Sequence, residues 1–253
     1  MHPTVLIDKS VSLGNNVKIG PYSIIEKNVI IGDDTEIGNH VTICSNTKIG
    51  KLCKIFHSSS IGEIPQDLKF RGEETQTIIG DRTKIREYVT INRGTKALGE
   101  TRIGSDCLLM ASTHVAHDCV LGDNVIMSNL STLGGHVSVA DYVVLGGGVL
   151  VHQFTKIGSH SFIGGGFRVV QDVPPFILAA DNPLNYKGLN SVGLKRRGFS
   201  ILDRKSIKSV YNIYFKSGLN RQDSLKKIDM DIPDSLIKKQ IVDFICGSER
   251  GII

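Results

Sequence analysis

A chain of 253 residues, 40% of them hydrophobic, is long enough for one large core or for a main domain with an appendage, and for little more. No apolar run approaches the 18 residues of a membrane span, and the start MHPTVLIDKS lacks the basic and apolar blocks of a secretory signal, so stable membrane insertion is not expected and a cytoplasmic protein is. With 6% aromatic residues, no tryptophan and a net charge of only +5, a nucleic-acid partner is not expected either, whereas an acidic protein partner fits the charge.

From the first residues onward the chain repeats in sixes, as VKIGPY, TEIGNH, TKIGKL, TRIGSD and TKIGSH show. Reading every sixth residue from Ile7 to Val169 gives 28 positions, of which 25 are Ile, Leu, Val or Met, so the period holds over most of the chain. Two residues before each lies a small or β-branched residue, such as Val17, Thr35, Val41 or Cys53. A six-residue unit cannot bury itself, but three of them close an 18-residue triangular coil with the long and the small residue pointing inward. Coils stacked at one strand spacing of about 4.8 Å make a prism of nine to ten coils, roughly 45 Å long. Glycine and asparagine are expected at its corners. The three exceptions, Asp67, Glu73 and Ala97, mark outward loops at 62–76 and 93–100. Loops projecting from a rigid solenoid are common binding elements.

The repeat fades at QDVPPF, where Pro174 and Pro175 are expected to end the hydrogen-bonded ladder. A linker then runs to about Leu189. Beyond it Ser200 is placed to cap a helix from Ile201 to Lys216 stopped by Gly218, and Pro233 to start another ending near Gly247. The reading is therefore a mainly β chain, a parallel β-helix over 1–189, followed by a small α-helical C-terminal domain over 190–253. That domain carries a basic face of Lys195, Arg196, Arg197, Arg204, Lys205 and Lys208. The five cysteines form no C-x-x-C pair, so reduced structural thiols are expected.

Within the wall, THVAHDC sets His114 outward beside the inward Val115 and puts His117 and Asp118 at a corner. Residues 18 apart lie over one another, which stacks His117 on Gly135, Asp118 on His136 and Gly134 on His152. A histidine beside a carboxylate suits proton abstraction, because the carboxylate fixes the imidazole tautomer and stabilises the imidazolium. A glycine one coil away can present its N–H to a developing oxyanion. Cys119 takes an inward small position, and no serine or cysteine stands as an evident nucleophile. Acyl transfer without a covalent intermediate is the chemistry this suits. A metal site is the competing chemistry, although H-x2-H-x18-H is not a zinc pattern. A scaffold or binding solenoid, which needs only the wall, is the third class.

The hexads resemble those of the hexapeptide acyltransferases, which implies a left-handed coil. THVAHDCVLGDN, LGGHVSV, GGVLVHQF, QDVPPF and GLNSVGLKRRGFS, with IGEIPQDLKF and IGDRTKIREYVTI, are similar in order and spacing to segments of the UDP-N-acetylglucosamine O-acyltransferases of lipid A biosynthesis. The resemblance implies a cytoplasmic homotrimer with sites between subunits. It would transfer an (R)-3-hydroxyacyl group from acyl carrier protein to the 3-position of UDP-N-acetylglucosamine, using no cofactor beyond the carrier's phosphopantetheine arm and no metal. The basic C-terminal face then has an acidic partner in that carrier. It implies His117 as general base, Asp118 as its orienting partner and Gly135 as oxyanion donor. His114 and His136 would line the site, Asp67 and Lys69 would reach the sugar, and His152 and Gln153 would lie near the nucleotide. Asn190 and Arg197 would hold ribose and phosphate, with Arg196 assisting. Gly165 falls on the acyl groove. So does Arg168, where small residues are common, and its bulk points to a medium-length acyl group. Asn92 stands where many members have histidine, leaving open a 3-amino acceptor, and Val192 replaces an acidic residue that helps bind nucleotide in some members. Coenzyme A-dependent acetyltransferases and γ-class carbonic anhydrases share the coil and are more distant alternatives. The N-acyltransferase acting later in the same synthesis carries an added N-terminal uridine-binding domain, for which hexads starting at residue 5 leave no room.

Overall fold

The computed structural model describes residues 1–253. Three parallel sheets form the walls of a triangular prism: nine strands from Leu6–Ile7 to Arg168–Val169, eight from Ser12–Leu13 to Lys156–Ile157, and ten beginning at Lys18–Ile19. Successive strands visit the three sheets in turn, and neighbours in a sheet stand one 18-residue coil apart, as in Leu6 with Ile24 and His114 with Thr132. The inward residue of every regular hexad from Ile19 to Val169 is buried, and its small partner, for example Thr35, Val41, Cys53 or Cys119, is buried beside it. Full burial of one such aliphatic side chain stabilises the fold by about 1.5–3 kcal/mol, and the coil repeats it at each step. Leu13, in the first coil, remains partly exposed because nothing stacks beneath it.

The corners differ from expectation. Asparagine takes the left-handed backbone position at Asn16 and Asn28 as expected, but glycine seldom does, and His40, Leu52, Asp118, Leu130 and His136 also adopt it, with φ between 54° and 64°. A single such residue costs about 1–2 kcal/mol in strain. The ladder between coils offsets it: Asp34 N–H donates to the Asn15 carbonyl at 2.8 Å and His136 N–H to the His117 carbonyl at 3.0 Å. Glycine follows the inward residue instead, with ordinary φ, because coils approach closely there. A Cβ on Gly32 would lie 2.7 Å from the Gly50 carbonyl carbon.

The chain leaves the wall between Glu63 and Gln76 and again between Asn92 and Glu100. Thr47 pairs with Thr77 and Thr77 with Thr101, so the two insertions add twelve and six residues, whole hexads that preserve the phase.

The prolines do not end the wall. Ile177–Ala180 adds a parallel strand to the third sheet, pairing Phe162 with Leu178, and Asn185–Leu189 returns antiparallel on it, so the expected linker is a hairpin. Pro174 and Pro175 lack an N–H, but their carbonyls accept from Ser161 Oγ and Tyr211 Oη. Four helices follow: α1 Ser191–Arg196, α2 Ile201–Lys216, α3 Arg221–Asp231 and α4 Leu236–Cys246. The second keeps its expected bounds and its Ser200 cap, completed by Asp203 as a capping box. The fourth is capped by Ser235 rather than started by Pro233, which lies before the cap. The third buries only Ser224 and Ile228 and so carries little apolar periodicity to read. The C-terminus returns to the wall, where Asp172 pairs with Ile252 and accepts from Ser248 Oγ at 2.7 Å. No helix is long and apolar enough to cross a membrane.

Close approach and left-handed corners make opposite demands on side chains. Gly32→Ala is expected to lower stability by about 1–3 kcal/mol through overpacking. Leu52→Gly, at an exposed corner with φ 57°, should be nearly neutral, since relief of strain offsets the flexibility of glycine. Unfolding midpoints of the two variants measure the contrast, and equal effects would refute it.

Candidate active site

His117 and Asp118 form the turn that follows the strand His114–Val115, at the corner between the first and second sheets. Val115 and Cys119 anchor the turn in the core on either side. His117 Nδ1 lies 2.8 Å from Asp118 Oδ2, and the carboxylate has no exposed surface. Three further donors reach it from the second insertion: Thr95 N–H to Oδ1 at 2.9 Å, Thr95 Oγ1 to Oδ2 at 2.7 Å, and Leu98 N–H to Oδ1 at 3.3 Å. Burial alone would raise the Asp118 pKa, but the bonds from His117 and Thr95 outweigh it and hold the carboxyl below its usual range. An ionised carboxylate only accepts, so Nδ1 of His117 is the nitrogen that donates to it, and the neutral form of the ring has its lone pair on Nε2.

Gly135 stacks on the imidazole as the register requires: a Cβ there would lie 2.6 Å from His117 Cε1 and 2.7 Å from Nε2. On the corner between the second and third sheets the N–H after the glycine is taken in several coils by an aspartate of the next one, as Asn15 N–H by Asp33 and Ser105 N–H by Asp123, a contact that the His117 corner lacks. Gln153 occupies the next coil here, and the Gly135 N–H donates to no group of the chain. His136, in line with Asp118, packs edge-on to His117 at 5.1 Å and stacks on Phe154 at 4.6 Å. His114 Nδ1 sits 2.8 Å from Thr90 Oγ1, and burial, with His117 nearby, pulls its pKa below the usual histidine value. Cys119 is inert as a nucleophile, because burial pushes its thiol up to about 12.

The chain that carries this arrangement has close relatives. A description of UDP-N-acetylglucosamine O-acyltransferase domain 2 matches residues 172–253, and one of bacterial transferase hexapeptide repeats matches 10–45 and 100–135. The acyl-[acyl-carrier-protein]--UDP-N-acetylglucosamine O-acyltransferase of Chlorobaculum parvum is 51% identical over 99% of this chain and 96% of its own. The one from Aliarcobacter butzleri is 46% identical over 100% and 97%. Among solved structures, the UDP-N-acetylglucosamine acyltransferase of Bacteroides fragilis superposes with a TM-score of 0.99 at 43% identity, over 100% of this chain and 99% of that one.

The chain belongs to the UDP-N-acetylglucosamine O-acyltransferases. As in a member of that family, the fold is a hexapeptide wall with a helical C-terminal unit, and the matched boundary at residue 172 coincides with the aspartate to which the C-terminus returns.

The other residues expected in an acyltransferase site fall in separate places. His152 and Gln153 sit on the His117 corner, both exposed, and the His152 ring bonds the Gln153 carbonyl at 3.1 Å. Asp67 and Lys69 stay on the first insertion, where Asp67 Oδ1 accepts the Lys69 N–H, and no bond joins them to His117. Asn190, Arg196 and Arg197 line a cavity of about 690 Å³ on the outer face of the third sheet, walled by Ile126, Val144, Phe162 and Leu178. The Asn190 side chain is occupied, capping α1 through Gly193 N–H and holding the His160 carbonyl. Arg197 lies over the Tyr142 ring at 4.8 Å. That cavity is on the opposite side of the prism from His117, though at the same height, since Ile126 follows its corner by one strand. Gly165 approaches Gly147 O closely on the corner between the third and first sheets. Arg168 is exposed on the first sheet, beyond Leu150 in the row of His114 and Thr132. Asn92 is buried: its Nδ2 tethers the Ile64 carbonyl and its Oδ1 has no partner.

Sequence reasoning missed Thr90, Thr95, Thr101, Tyr142 and Phe154. Of these only Phe154 carried a usable signal, being 18 residues beyond His136. His117, Asp118 and His136 are the one set of side chains whose donor atoms, all within 4.8 Å, could share a metal ion. Each Asp118 oxygen already accepts two donors, so an ion would have to compete with them.

Because the folded Asp118 pKa lies below the unfolded value of about 3.9, its contribution to stability is full above that pH and lost as pH falls through the folded value. Asp118→Asn should therefore be less stable than the parent near neutrality, with the gap closing below about pH 4. Denaturant titrations at stepped pH test this, and a gap independent of pH would contradict it.

Proposed function

We propose that the protein transfers an (R)-3-hydroxyacyl group from acyl carrier protein to the 3-position of UDP-N-acetylglucosamine, the first step of lipid A biosynthesis. The observation that carries the mechanism is Gly135 packed against the His117 ring, its N–H unclaimed by the chain, with Asp118 2.8 Å from Nδ1 behind the ring. In this reading Nε2 takes the proton of the sugar 3-hydroxyl as its oxygen attacks the thioester carbonyl. The Gly135 N–H bonds the oxyanion that forms. When the C–S bond breaks, the thiolate of the phosphopantetheine arm leaves and takes the proton back from the imidazolium. A general base contributes about 10²–10⁴-fold and one oxyanion donor about 10²–10³-fold. The inert Cys119 accords with direct transfer.

The site is completed between copies of the chain in a homotrimer. His117 and the Arg197 cavity share a height but face away from each other, so the side-by-side packing of a second copy is what brings a corner to a cavity. There Arg197, with Arg196, binds the diphosphate through its planar cation, and Asn190 anchors the helix start that carries them. His114, His136, Asp67 and Lys69 hold the sugar, and His152 and Gln153 the nucleotide. The acyl chain runs past Gly165 toward Arg168, whose exposed side chain sets a medium length. The carrier protein docks on the basic C-terminal face, and its cytoplasmic pool places the enzyme there. A 3-amino acceptor is the second reading, favoured by Asn92: its buried, unpartnered Oδ1 lies one coil from Ala116, next to the base.

Purified protein offered a ladder of 3-hydroxyacyl carrier proteins with UDP-N-acetylglucosamine or its 3-amino analogue tests donor, acceptor and length together. Expected is transfer at the 3-position with medium-length donors, and loss of at least about 10²-fold in His117→Ala. Retention of most activity in that folded variant would overturn the mechanism, and preference for the longest donors would overturn the role of Arg168.

A further inference from the structure

The second insertion is one hexad long, and its position over Asp118 is fixed by close packing. Arg93 N–H donates to the Glu63 carbonyl at 2.9 Å, Gly99 N–H to the Thr95 carbonyl at 2.7 Å, and Gln76 N–H to the Gly99 carbonyl at 3.0 Å. Gly94 packs against the backbone of Glu100 with no space for a Cβ. Thr95 is buried at 7% exposure. Its Oγ1 accepts the Ala97 N–H at 3.2 Å, so the hydroxyl proton is free to point the other way, at Asp118 Oδ2 2.7 Å off. Thr101 accepts the Asp118 N–H at 2.8 Å from the strand that ends the insertion. Four donors thus divide evenly over the carboxylate: Thr95 N–H and Leu98 N–H on Oδ1, Thr95 Oγ1 and His117 Nδ1 on Oδ2.

We infer that Thr95 is a positioning residue for the transfer and that the 93–99 insertion is a support for the Asp118–His117 pair rather than a substrate-binding loop. The inference rests on the proposed reading of His117 as base. A hydroxyl and two N–H groups arriving from one loop leave the carboxylate a single orientation in which Oδ2 faces Nδ1. Without the hydroxyl, Oδ2 has only the histidine, the anion accepts a proton more readily, and the ring is free to turn its lone pair away from the substrate side. The other titratable groups around the pair are His136, with Nε2 3.6 Å from Oδ2, His114 beyond His117, and the buried Cys119. None of them donates to Asp118 within hydrogen-bonding distance, so none replaces Thr95.

Thr95→Val removes the hydroxyl and keeps the shape and the N–H. Expected is a fall in kcat of roughly ten- to a hundredfold, the worth of one hydrogen bond to a buried charge, with KM for the UDP-sugar nearly unchanged. The acid limb of the pH–rate profile should move to higher pH, because a carboxylate whose charge is shared with fewer donors stabilises the imidazolium of the base more strongly. Thr95→Ser should recover most of both effects. Should Thr95→Val accumulate too poorly for kinetics, Thr95→Ala serves, with the His117 ring nitrogens read by NMR in ¹⁵N-histidine protein. The parent should show Nδ1 protonated at neutral pH and the variant a tautomer mixture. An unchanged profile and an unchanged tautomer would overturn the role of Thr95. If His117→Ala is inactive while Thr95→Val behaves as the parent, only the positioning inference falls; if His117→Ala is active, the base reading falls with it.

Discussion

Everything in this molecule depends on stacking one 18-residue coil on the next in fixed phase. A wall strand of two residues has almost no stability alone, and it gains its bonds only from the coils above and below. The inward Ile, Leu and Val residues enforce the phase, because a slip of one residue would turn each of them out into water. Both insertions respect it by adding whole hexads. A side chain at a corner is therefore placed by a structure that cannot shift locally, which suits the proposed base, since it must meet its substrate within a fraction of an ångström.

The same geometry converts stacking into electrostatics. Residues one coil apart touch, so His117 rests on a glycine that leaves room for the ring, and the residue beside Asp118 is a second imidazole. The carboxylate would be costly to bury alone, and four donors offset that cost. Its charge then stabilises an imidazolium without competing for the proton. The Gly135 N–H, one coil from His117, is claimed by no group of the chain.

Much of this was legible in the sequence for a physical reason: a six-residue period fixes inward and outward positions, so stacking partners follow from counting. The position of His117 over Gly135 and the extent of α2 could be read that way, the latter because Ser200 and Asp203 form a local capping box. The hairpin at 177–189 was hidden behind two prolines whose missing N–H groups prove harmless, since their carbonyls do the bonding. The third helix has too few buried apolar residues to show a period. Conformational preference assigns left-handed corners to glycine and asparagine, and asparagine does take several, but the inter-coil ladder lets His, Leu and Asp adopt them too. Thr95 was invisible because it meets Asp118 from an insertion, where counting by six no longer says what lies beside what.

In the proposed mechanism, a base on a corner and cations on the opposite face require a second copy. That requirement is tested most directly by mixing two inactive chains, His117→Ala and Arg197→Ala, carrying different tags, and purifying the oligomers that hold both. Sites built between copies would regain transfer activity in those mixed oligomers, since some would pair an intact His117 with an intact Arg197. Mixed oligomers as inactive as either parent variant would show that both residues must come from one chain, and would contradict the account.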